Sequence, residues 1–125
     1  MLAELAYQII DLILALNGEG KGIKLEAQDV KSILNQKANL GIKEVEIFDN
    51  NKYFTFVVDK SASKTHISYS PLSIAFWDRS ANIPIDCVLF FKNGYIDSLE
   101  IYSCDGVPFD DIDMGNIDIM EIHGE

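Results

Sequence analysis

With 125 residues, 48% of them hydrophobic and 24% charged, the chain is long enough to bury one core without disulfide or metal staples. Its net charge is −10, and the imbalance is local: residues 1–80 hold ten acids and nine bases, residues 81–125 ten acids and Lys92 alone. Such a field repels nucleic acid and anionic lipid, so neither is expected as a partner, and it attracts a cationic one.

In "MLAELAYQIIDLILALNGEG" the residues Leu2, Leu5, Ile9, Leu12, Ile13 and Leu16 recur at helical spacing, with Glu4, Gln8 and Asp11 opposite them. Ile10 and Leu14 widen the apolar arc, which predicts a helix largely buried against a sheet. Asn17-Gly18 supplies the stop. The segment has no basic leader, and two acids interrupt its apolar run; it reads neither as a secretion signal nor as a membrane span. A cytoplasmic protein is expected. A second, more polar helix is predicted within "KLEAQDVKSILNQKAN", docked through Val30, Ile33 and Leu34. Its early Glu26 and Asp29 and late Lys37 suit the helix dipole.

From residue 43 the period changes to two. "KEVEIFD" alternates Val45 and Ile47 with Glu44 and Glu46, and "KYFTFVVD" follows an Asn50-Asn51 turn. "ISYSPLSIAFWD" is a further strand, with Pro71 confining its early part to an edge or bend. "RSANIP" connects it to the pair Ile85–Lys92 and Tyr95–Ser103, joined by Asn93-Gly94. The predicted fold is therefore α+β and a single domain. Two N-terminal helices (residues 1–40) pack on an antiparallel sheet of about five strands (43–103), and an acidic segment (104–125) follows.

A regular type I′ hairpin about Asn93-Gly94 sets Val88 opposite Leu99 and Cys87 opposite Glu100. Both faces then look mixed, predicting central strands covered on each side. Glu100, between Leu99 and Ile101, is the odd residue: a half-buried carboxylate needs a donor, and a sheet glutamate bonded to a neighbour is the simplest account.

Chemistry is poorly represented. Cys87 and Cys104 form no CxxC and read as reduced structural thiols. His66 lies in a polar loop and His123 near the end, neither in a context that would orient a base. No nucleophile elbow or phosphate loop is present. "FDDIDMGNIDIMEI" fails the calcium-loop test: counting from Asp111, the required glycine falls on Asn116 and the terminal acid on Ile122. No metal or cofactor is expected. Trp77 reads as a residue capping a sheet core. Ile112, Ile117, Ile119 and Ile122 imply that part of the acidic segment packs on the domain.

The stretch "PLSIAFWDRSANIPIDCVLFFKNGYIDSLEIYSCDGVPF", with its "KNGY" turn, "SLEIY" core and "DGVPF" exit, resembles the C-terminal half of small bacterial immunity proteins of contact-dependent growth inhibition and related polymorphic toxin systems. Gly94, Leu99, Glu100, Ile101, Tyr102, Asp105 and Gly106 carry the likeness as fold residues. The resemblance implies a non-enzymatic cytosolic protein that covers the active site of one cognate toxin domain, often a basic nuclease. Charge then nominates Asp97, Asp105, Asp110, Asp111, Asp113 and Asp118 as the partner-binding residues. Two rivals stay open: a small hydrolase or ligand-binding enzyme with an acidic pocket, and a scaffold domain whose acidity serves solubility.

Overall fold

The computed structural model describes residues 2–18, 27–48, 51–59, 61–62, 64–65, 71–103, 109 and 112–124, with side chains placed except at 2, 16–18 and 120–124. Two helices, α1 (Leu2–Gly18) and α2 (Ala27–Ala38), precede six strands. These are β1 (Gly41–Phe48), β2 (Asn51–Val57), β3 (Leu72–Asp78), β4 (Ile83–Lys92), β5 (Tyr95–Ser103) and β6 (Ile117–Gly124). They form one antiparallel sheet in the order β1-β2-β5-β4-β3-β6. The α+β architecture is as expected, but the described residues form six strands. The additional one, β6, comes from the acidic segment, whose alternating isoleucines pair with β3 at the sheet's far edge.

α1 buries Leu5, Ala6, Ile9, Ile10, Ile13 and Leu14 and lies against β3 and β6, while α2 lies against β5. The sheet answers with alternating side chains: Phe54 and Phe56 on β2, Leu99 and Ile101 on β5, Ile85, Cys87 and Leu89 on β4, and Leu72, Ile74 and Phe76 on β3. Two helices about 10 Å wide cover ~20 Å of a sheet whose outermost strands are ~24 Å apart. β1 is the strand left out, and seven of its eight residues are exposed.

In α2 the predicted packing residue Leu34 is 48% exposed, and the inward positions are Asp29, Ser32, Ile33 and Gln36. Gln36 is fully buried and holds the β4–β5 turn: its Nε2 donates to the Gly94 carbonyl at 2.9 Å, and its Oε1 accepts from Ile96 N at 2.8 Å. A polar side chain here is a designed contact, since both halves of its amide are satisfied. Asn93 and Gly94 both take positive φ (55° and 82°), as a type I′ turn requires. A Cβ at Gly94 would lie 2.9 Å from the Thr65 carbonyl, so glycine is needed there for space as well as conformation.

Beyond the turn the hairpin departs from the regular register. Phe91 pairs with Ile96, but Phe90 pairs with Ser98, which leaves Asp97 as the extra residue of a β-bulge. From there every pair moves by one: Glu100 faces Val88, and Cys87 faces Ile101. The expected mixed faces are thereby corrected to one apolar, helix-covered face and one open face. A smaller correction concerns the β1–β2 turn: Phe48 pairs with Asn51, so the connection is residues 49–50.

Replacing Gln36 with leucine removes the Ile96 N–H's bond to Oε1 and leaves the Gly94 carbonyl with the Thr65 N–H alone, and is expected to cost about 1–3 kcal/mol in urea unfolding. Leu34→Ala, on an exposed position, is expected to change stability by less than about 0.5 kcal/mol. Equal effects of the two substitutions would contradict the clamp.

Candidate functional site

Cross-strand register builds a row on the open face: Glu46 of β1, Tyr53 of β2, Glu100 of β5, Val88 of β4 and Ser73 of β3. Adjacent strands lie ~4.8 Å apart, so the backbones of the two glutamates are ~10 Å apart with a tyrosine between them. Flanking rows add Phe48 and Phe90, and Tyr102 follows Glu100 by two positions. Without Ser73, these residues join Asn51, Lys52 and Ile101 in lining an open groove of about 660 Å³.

Its electrostatics follow from which charges are already engaged. Lys52 points toward the helix side, its Nζ 4.1 Å from the centre of the Phe109 ring and 3.4 Å from the Phe109 carbonyl. Among the described residues the carboxylates of Glu46 and Glu100 have no hydrogen bond or ion pair. Asp86, half-buried beside Tyr102, adds a third acid to the same face. Carboxylates set among phenyl and phenol rings suit a guanidinium or ammonium, which gains an ion pair and a ring face together. The lining holds no histidine, cysteine or serine that would make a nucleophile and base pair.

The aspartates nominated from charge are dispersed. Asp97 is the half-buried bulge residue, beside Lys92, Asn93 and Tyr95 at the hairpin end. Asp113 and Asp118 sit at the other end of the sheet, near the β3–β4 turn. There Asp113 accepts from Gly115 N at 3.1 Å and from Ser80 Oγ at 3.3 Å. Asp118 is level with Pro84 through Trp77, and six residues of β4 separate that level from Phe90, ~20 Å away. Asp105, Asp110 and Asp111 lie outside the described residues, as do Cys104, His66 and the side chain of His123. Cys87 is a buried thiol facing the helices. Glu46 was visible in the strand alternation, and Glu100 was conspicuous; their meeting depends on β2 lying beside β5, which no local pattern encodes.

Asp118 and Arg79 form a two-pronged ion pair, with Arg79 Nε donating to Oδ2 at 2.6 Å and Nη2 donating to Oδ1. It ties the start of β6 to the β3–β4 turn. That hydrogen-bonded guanidinium holds the Asp118 carboxyl below the usual carboxylate range.

Among the described residues no helix is long and apolar enough to cross a membrane, and no three His, Cys, Asp or Glu side chains converge on a metal position. Set beside known proteins, the chain matches no family model, and neither a characterised protein nor a solved structure is significantly similar to it.

Because the Asp118 pKa is depressed on folding, its contribution is present above the unfolded carboxyl pKa and is lost as pH falls through the folded value. A side-chain carboxyl NMR titration is expected to place its midpoint below that of an ordinary aspartate, and Arg79→Gln to return it to the ordinary value. An unchanged midpoint in Arg79→Gln would contradict the pairing.

Proposed function

We propose that this protein is an immunity protein: a cytoplasmic, one-to-one inhibitor that binds a cognate bacterial toxin domain and neutralises it by obstruction. The observation that carries the reading is the open groove, in which Glu46 and Glu100 have no ion-pair partner among the described residues and stand beside Phe48, Tyr53, Phe90 and Tyr102. A toxin that acts on nucleic acid has a basic substrate surface, and carboxylates held on a rigid sheet would take the places of phosphates there. Aromatic side chains supply the dry contact area that slows dissociation, and charge supplies fast encounter. Asp97, Asp105, Asp110, Asp111, Asp113 and Asp118 contribute to the surrounding negative field. On this reading the central contact lies on the groove, because Asp113 and Asp118 already have local partners. No bond is made or broken by the inhibitor.

A second reading rests on the groove's size, which falls within the range of small-molecule sites. It would make the protein a receptor or small hydrolase for a cationic ligand. The two readings separate on what fills the groove, a protein surface or a free molecule.

Co-expression with a toxic domain, should one be encoded beside this reading frame, is the test. The wild-type chain is expected to restore growth and to bind that domain one to one. Glu46→Lys/Glu100→Lys is expected to slow association by about tenfold at low salt and to lose protection, whereas Asp113→Lys has a smaller effect. Full protection by the double variant would remove the groove from the account. Absence of binding by the wild-type chain would remove the immunity reading itself.

A further inference from the structure

β1 ends the sheet with one edge unpaired. Among the described residues, 41–48 make no hydrogen bond outside the ladder to β2, so roughly half of the strand's backbone N–H and C=O groups face outward. Sheets ordinarily blunt such an edge with proline, lysine, a bulge or a cover. Here the one bulge and the one lysine both fall at Lys43, near the start of the strand. Residues 44–48 continue as a regular, uncovered run. Val45 is 38% exposed, Ile47 55% and Phe48 65%.

We propose that the outer edge of β1 over residues 44–48 accepts an extended strand from a protein partner, one in which lysine or arginine alternates with apolar residues. Residues opposite one another in a ladder share a face. Those beside Glu44 and Glu46 therefore meet carboxylates on the open face, and those beside Val45 and Ile47 extend the apolar surface at the border of the helix layer. A second copy of the chain is a poor occupant. The register that aligns Val45 with its own counterpart sets Glu44 against a second Glu46, and each copy carries a net charge of −10. The acids thus act as gatekeepers that admit a basic strand and refuse an acidic one. Glu46 and Phe48 also line the groove, so a partner seated in the groove reaches this edge without a gap. The inference extends the obstruction reading and rests on it only for the partner being a basic protein.

The test uses the whole chain and a short peptide alternating lysine and valine. Controls are a glutamate–valine peptide and a lysine–valine peptide of the same composition in block order. Amide hydrogen exchange is expected to slow within residues 44–48 with the alternating basic peptide alone. Affinity is expected to fall by about tenfold in Glu44→Lys/Glu46→Lys and comparably in Ile47→Asp, each checked for folding by circular dichroism. Equal binding of the block peptide, binding of the glutamate–valine peptide, unchanged affinity in both variants, or protection elsewhere would each overturn the proposal. Because no toxin is present, failure here leaves the immunity reading standing. Strand pairing combined with failure of toxin protection removes that reading alone.

Discussion

The single inserted residue at Asp97 decides what this sheet presents to solvent. Without the bulge, the Asn93-Gly94 turn would carry a regular register down the hairpin, and Glu100 would stand opposite Cys87 among Ile85, Leu89 and the isoleucines of α1. A carboxylate there would lose its hydration with no cation to replace it. One extra residue moves Glu100 to the opposite face and brings Leu99 and Ile101 inward, which separates an apolar side from a polar and aromatic one. Core and groove are two consequences of one register. The turn that starts this register is held by Gln36 from α2 and by the Thr65 N–H, which donates to the Gly94 carbonyl at 2.9 Å.

Coverage is the second constraint. The helix layer is narrower than a six-stranded sheet, so an edge is left without a helix. β1 takes that position, which explains how a strand with Val45 and Ile47 on the helix side still has both exposed. Among the described residues the open face has no helix layer of its own, and its aromatic residues remain partly accessible. Unpaired edge and open groove meet at Glu46 and Phe48, so both features of the surface come from the same shortage of cover.

Much of this could be read from residue order. The apolar spacing of α1, the Asn17-Gly18 stop, the change to period two after residue 43 and the Asn93-Gly94 turn are local signals, and each corresponds to an observed element. Signals that failed were those that depend on distant partners. Leu34 fits a helix face by periodicity, yet the inward face of α2 is set by where β5 lies, which brings Gln36 in and turns Leu34 out. The bulge at Asp97 has no composition of its own, since aspartate is ordinary in a hairpin. β6 was obscured by its charge: Ile117, Ile119 and Ile122 imply packing on the domain, but set among acids they do not announce a strand until β3 supplies an edge to pair with. The site was legible in parts, Glu100 as an oddity and Glu46 as a polar alternate, but the row that joins them is a property of strand order.

The proposed account reduces to one placement: a positively charged protein seated on the face that the bulge keeps open. Hydrogen exchange of the chain with and without the toxin domain that the proposal assigns to it examines that placement directly. The account predicts slowed exchange along β1, β2 and β5 around Glu46, Tyr53 and Glu100, with α1 unchanged. Protection confined to the helices, or to the β3–β4 turn where Asp113 and Asp118 sit, would contradict it.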